Sequence, residues 1–110
     1  MEMFEAREAF SSLSQETRLR IYRLLLQYGR SGSVPGVMSE ELEIPGNTLS
    51  FHLSHMSKAG LVTSEKNGRS VTYFANTKII NSLIGYLREN CCAREEKTKA
   101  KKTSCKARKC

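Results

Sequence analysis

The 110-residue chain has no tryptophan, no aspartate, two prolines and no cysteine before Cys91. Each gap removes a class of answer. Without aspartate there is no Ser-His-Asp triad, and no phosphate-binding loop is present. A Cys-His nucleophile pair would need the C-terminal residues to reach His52 or His55, so an enzyme is not expected. All four cysteines, Cys91, Cys92, Cys105 and Cys110, fall in the last twenty residues. A secreted disulfide scaffold would spread them through the fold. No signal peptide is expected ahead of them, and the expected setting is a reducing cytoplasm, with the cysteines as thiols or metal ligands. The apolar run Leu24-Leu25-Leu26 is flanked by Arg23 and Arg30 and is far too short to span a membrane.

The length allows one compact domain with a modest core, so a dimer interface is an expected source of added stability. The net charge of +7 suggests nucleic acid, but it is unevenly placed. Residues 94–110 hold eight Lys/Arg against Glu95 and Glu96, whereas residues 1–93 hold ten against nine glutamates. The expected organisation is therefore a domain over 1–93 and a basic, solvated tail over 94–110. Such a tail near DNA would add salt-dependent affinity.

Apolar periodicity predicts the elements. Residues 2–12, with Phe4, Ala6 and Phe10, read as a short amphipathic helix. Ser14 is the expected N-cap of a second helix whose apolar face is Leu19, Ile21, Tyr22, Leu25, Leu26 and Tyr28, ending at Gly29. Residues 30–34 read as a loop. Pro35 opens a third helix to about Glu43, Pro45 and Gly46 interrupt the pattern, and Asn47 or Thr48 starts a fourth with Leu49, Leu53 and Met56 on one face. Two helices around so short a turn form a helix-turn-helix. Residues 61–65 and 70–75 have strand composition around Lys66-Asn67-Gly68-Arg69, where Asn-Gly predicts a type I′ turn. A last helix over 77–90 carries Ile79, Ile80, Leu83, Ile84 and Leu87, a face wide enough to suggest burial against a second subunit. The predicted fold is mostly α with a β-hairpin wing, a dimeric winged helix-turn-helix.

In such folds the N-terminal part of the second motif helix enters the major groove of double-stranded DNA. The face opposite Leu49, Leu53 and Met56 is read as Asn47, Thr48, Ser50, Phe51, His52, Ser54 and His55. Hydroxyls can bond phosphates or base edges, Asn can pair with adenine, and an aromatic ring can touch a thymine methyl. Lys66 and Arg69 at the hairpin tip would reach a neighbouring minor groove or phosphate. Plainer readings stand beside these. Phe51 could pack inside the motif, His52 and His55 could be hydrogen-bonding residues or an i, i+3 zinc pair, and Arg69 could be a solvated turn residue.

Three stretches, LSQETRLRIYRLL (13–25), TLSFHLSHMSKAGLV (48–62) and EKNGRSVTYFA (65–75), together resemble the ArsR/SmtB family of bacterial metal-sensing repressors. The resemblance covers roughly residues 10 to 90. It implies a homodimer held by the first and last helices, two recognition helices on an imperfect inverted repeat, and a metal ion that lowers DNA affinity. Two of the family's inducer sites have no counterpart here: residues 34–42 contain no Cys, and residues 77–90 contain no His or Asp. Asn90-Cys91-Cys92 is similar to family members whose arsenic site pairs two cysteines at the end of the last helix with a third in the tail.

Soft thiolates select thiophilic centres, and trivalent arsenic takes three sulfurs in a pyramid. Cys91 and Cys92 would supply two, and Cys105, or alternatively Cys110, the third. The thirteen-step gap from Cys92 to Cys105 closes at slowly rising entropic cost. Lys101, Lys102, Lys106 and Arg108 would favour thiolate there. Arsenite is the expected inducer, with antimonite and organoarsenicals as alternatives; zinc, which prefers four ligands, ranks behind. A thiol redox sensor on the same fold and a protein-contact winged helix are the competing functions. The polar face of 47–54 argues against the second.

Overall fold

The computed structural model describes residues 1–95. Five helices and one hairpin follow each other as α1 (Met3–Leu13), α2 (Glu16–Tyr28), α3 (Pro35–Leu42), α4 (Gly46–Lys58), β1 (Val62–Asn67), β2 (Ser70–Ala75) and α5 (Thr77–Arg88). This is the expected winged helix-turn-helix. The tail over 96–110, with Cys105 and Cys110, lies outside the described residues.

Helix ends follow local chemistry. α2 is capped by Gln15, whose side chain accepts from the Arg18 amide at 2.9 Å. The expected cap, Ser14, instead donates back to the Ser11 carbonyl at 2.8 Å, because α1 extends through Leu13. Pro35 takes the first position of α3, where its missing N–H costs nothing. Between α3 and α4, Glu43 adopts a left-handed φ of 57°. The Ile44 amide returns to the Ser39 carbonyl at 3.1 Å, and Ser39 Oγ donates to the Ile44 carbonyl. These two bonds close the three-residue turn of the motif.

The core is one apolar cluster. α2 contributes Ile21, Tyr22 and Leu25; α4 contributes Leu49, Leu53 and Met56; Ala6, Ala9, Met38, Ile44, Leu61, Val62 and Leu83 complete it. α2 packs against α1, α3, α4 and β2 and so is the central element. Leu19 and Leu26, expected on its apolar face, are exposed. Asn76 knots the C-terminal half together. Its Nδ2 donates to the Gly60 carbonyl at 2.8 Å, its amide to the Leu61 carbonyl at 2.8 Å, and its Oδ1 caps α5 at the Lys78 amide. The buried Tyr22 hydroxyl donates to the Asn76 carbonyl at 2.9 Å, and burial pushes its pKa up to about 12.

The hairpin departs from expectation in two ways. Asn67 pairs with Ser70, so the loop is Gly68-Arg69. Only Gly68 has positive φ there, the mark of a II′ rather than a I′ turn, and Asn67 belongs to the strand. The second departure is at residues 30–34, read as a loop. Ser33 bridges Tyr73 in antiparallel fashion, with bonds of 3.0 and 2.8 Å, and adds one isolated rung beside β2.

Gly32 makes that rung possible. Its φ is +66°, and a Cβ there would lie 2.6 Å from the Tyr73 carbonyl oxygen and 2.7 Å from the Phe74 ring. Gly32→Ala should therefore cost about 1–3 kcal/mol. In α3, Gly36 has open space around the same position, and Gly36→Ala should be neutral or stabilising by up to about 1 kcal/mol. Urea unfolding midpoints of the two variants check the contrast; equal midpoints would remove the role assigned to the Ser33–Tyr73 bridge.

Candidate nucleic-acid interface

The outer face of α4 presents Asn47, Thr48, Ser50, Phe51, Ser54 and Ser57 to solvent. Phe51 is 63% exposed, which removes the reading in which it packs inside the motif. Its ring meets that of His52 edge-on, centroids 5.5 Å apart. At the wing, Lys66 and Arg69 are exposed, Arg69 in the loop itself and Lys66 at the end of β1. A helix face of small hydroxyls with one aromatic ring and a nearby hairpin carrying two cations can offer donors, acceptors and charge to a duplex.

The two histidines are not on this face. His52 is 8% exposed and belongs to the inward row with Leu49, Leu53 and Met56; His55 is half-buried. Both turn toward α1 and α2. Arg18 Nε donates to His52 Nδ1 at 3.2 Å, Arg18 NH1 lies 3.5 Å from His55 Nε2, and His55 Nδ1 is 3.3 Å from the fully buried Ser12 Oγ. Burial holds the His52 imidazole below its ordinary value, and the adjacent Arg18 and His55 act in the same direction. The expectation that His52 and His55 face the groove is thus corrected, in favour of hydrogen-bonding histidines. Spacing carried the signal, since positions 49, 52, 53 and 56 are i, i+3, i+4, i+7. Arg18 and Ser12 were missed. Arg18 precedes Ile21, Tyr22 and Leu25 by three, four and seven residues, which puts it at the head of the buried stripe. Arg20, another missed residue, donates to the Leu42 carbonyl at 2.9 Å and closes the end of α3.

The cysteine pair also sits differently from expectation. α5 ends at Arg88, so Cys91 and Cys92 lie beyond the helix in successive turns. Cys91 N–H donates to the Arg88 carbonyl at 2.9 Å, and Ala93 N–H to the Asn90 carbonyl at 3.0 Å. Asn90 and Cys92 have left-handed φ values of 61° and 64°. Both cysteines are exposed, and their sulfurs are 3.6 Å apart. Among the described residues no group of three His, Cys, Asp or Glu side chains could hold a metal ion. A complete three-sulfur site would need Cys105 or Cys110.

A helix-turn-helix domain family matches residues 13–65. An uncharacterised helix-turn-helix transcriptional regulator of Methanocaldococcus jannaschii is 35% identical over 85 residues, covering 76% of this chain and 93% of the relative. An arsenical resistance operon repressor of Bacillus subtilis is 31% identical over 85 residues, covering 77% of each chain. Among solved structures, an ArsR-like transcriptional regulator of Rhodococcus superposes with a TM-score of 0.69 at 29% identity, covering 77% of each chain. HlyU of Vibrio cholerae gives 0.65 at 28% identity, covering 84% of this chain and 99% of that one. The wing, the exposed face of α4 and these likenesses agree: this chain belongs to the ArsR family of DNA-binding transcriptional regulators.

Proposed function

We propose that this regulator is a homodimeric repressor that binds an imperfect inverted repeat and leaves it when trivalent arsenic is held by Cys91, Cys92 and a third thiol, Cys105 before Cys110. The observation that carries the arsenic reading is the sulfur pair. Two sulfurs on adjacent residues, 3.6 Å apart and exposed, would as thiolates form a half-site for one soft centre that prefers three sulfurs. Hard or nitrogen-preferring ions gain little from it. The arsenical resistance repressor among the relatives supports the same reading.

A dimer through α1 and α5 is supported by the apolar groups these helices leave uncovered. Met3, Phe4 and Phe10 on α1, and Ile84 and Leu87 on α5, are all exposed, Phe4 to 68% and Leu87 to 65%. Burying such side chains between two copies is worth roughly 1.5–3 kcal/mol each. In that dimer the cysteine turns follow directly on the interface helix. Drawing residues 96–110 back onto Cys91 and Cys92 would bias α5 and, through the dimer, the angle between the two copies of α4. A coupling of about 1–3 kcal/mol changes operator affinity roughly 5–150-fold.

In the DNA interface, Asn47, Thr48, Ser50 and Phe51 read bases or position the helix, and Lys66 and Arg69 hold the backbone. Ser50→Ala and Phe51→Ala should each cost about 1–3 kcal/mol of operator binding with the dimer intact. Arg69→Ala should weaken binding to all sequences and reduce the salt slope by about one. Fluorescence anisotropy with specific and scrambled duplexes separates the two patterns; unchanged affinity in all three variants would refute this interface.

For the switch, Cys91→Ser and Cys92→Ser repressors should bind the operator and no longer release it with arsenite. Cys105→Ser should weaken release more than Cys110→Ser, because it closes the shorter loop. Operator release with arsenite, antimonite, zinc and peroxide, paired with X-ray absorption at arsenic, tests this. Full arsenite response in the Cys91→Ser, Cys92→Ser double variant ends the arsenic reading. Release by peroxide alone would replace it with a redox sensor.

A further inference from the structure

We infer that Arg18 is a positioning residue for the recognition helix, joining α4 to α2 and α1 through His52, His55 and Ser12 in a hydrogen-bond chain that is complete only while both histidines are neutral. The inference rests on α4 being the DNA-reading helix.

Arginine carries only donors, and that fixes the polarity of the whole chain. Arg18 Nε donates to His52 Nδ1 at 3.2 Å, so the His52 proton must sit on Nε2. Arg18 NH1 faces His55 Nε2 at 3.5 Å, so that nitrogen is the acceptor and the His55 proton sits on Nδ1. From there it is donated to Ser12 Oγ at 3.3 Å. The two imidazoles are thus held in opposite tautomers by one guanidinium.

The other buried residues of α4 are Leu49, Leu53 and Met56. The apolar row decides which face of α4 turns inward, but each of its contacts is non-directional. The chain through Arg18 supplies direction, and it lies in a partly buried setting where hydrogen bonds are strengthened and mismatches are costly. It also reaches α1, the helix with exposed Met3, Phe4 and Phe10.

Proton uptake breaks the chain at a known point. A proton on His52 Nδ1 sets N–H against the Arg18 N–H, with two like charges in contact. A proton on His55 Nε2 does the same at NH1. The groups facing the histidines are Arg18 from α2, the uncharged Ser12 hydroxyl from α1, and the other histidine of α4. A histidine whose folded pKa lies below its ordinary value stabilises the fold above that ordinary value, and the contribution is lost as pH falls. Because the broken chain no longer ties α4 to Arg18, operator affinity should fall on acidification. A histidine touching DNA predicts the opposite sign, because a new positive charge strengthens phosphate contact.

The test measures operator affinity of the full chain at constant salt from about pH 7.5 to about pH 5.5, which brackets the ordinary histidine value. Sedimentation follows the dimer over the same range. The wild-type protein should lose affinity severalfold across this range, because a protonated histidine can no longer accept from Arg18. His52→Gln keeps an acceptor for Arg18 without titrating and should lose about threefold or less. Arg18→Met should bind more weakly at neutral pH with a flattened profile, and Arg18→Lys should restore part of the affinity. In parallel, nitrogen-15 NMR of the wild-type histidines should place the proton on Nε2 of His52 and Nδ1 of His55 at neutral pH. Affinity that stays flat or rises on acidification, while neutral-pH binding is intact, overturns the latch and leaves the DNA-binding reading standing. The tautomers are read without DNA, so His52 protonated on Nδ1 overturns it whatever the variants do.

Discussion

The contact between α2 and α4 governs what this domain can do. Ile21, Tyr22 and Leu25 meet Leu49, Leu53 and Met56 in the core, and the same contact decides which residues of α4 remain outside. A rotation of α4 by one residue position, about 100°, would exchange Ser50 or Phe51 for Leu49 on the outer face. The proposed recognition surface is the complement of the buried one. Mutations that loosen the inner row should change DNA reading even where they touch no base.

Around that contact the chain is fastened by a small number of polar groups with several bonds each. Asn76 joins the end of α4, the base of the hairpin and the start of α5, and Tyr22 of α2 reaches it from below. Ser39 and Ile44 close the motif turn, and Arg20 closes the end of α3. Buried polar atoms are costly unless matched, and among the described residues no buried side-chain nitrogen or oxygen is left unmatched. Specific geometry is thus concentrated at the joints, while the apolar cluster supplies most of the driving force.

Much of this was legible in the sequence because it rests on period and punctuation. Pro35, Gly29 and the Pro45-Gly46 step mark boundaries, and the apolar rows mark faces. The errors came where polarity was weighed above spacing. His52 is polar, so it was assigned to the outer face, although its position between Leu49 and Met56 puts it inside. Its partner Arg18 lies 34 positions earlier, a pairing that no local rule exposes. Asn67-Gly68 signalled the right turn location and the wrong turn type, since register depends on how β1 and β2 meet over their length. The end of α5 was placed two residues late, because Glu89 and Asn90 carry no strong stop signal and the break appears only in their backbone angles. The Ser33–Tyr73 bridge joins residues 40 positions apart and was equally hidden.

That bridge divides the hairpin into two parts with different evolutionary freedom. Below it, Val62, Ala75 and Asn76 are bound into the core, and changes there are paid in stability. Beyond it, residues 65–70 are exposed. Apart from the cations Lys66 and Arg69, their main structural obligation is to keep pairing with each other. Changes of length and sequence can accumulate at the tip while the anchored base stays in place. The tip can thus change without renegotiating the fold, and a designer could exchange it as a module.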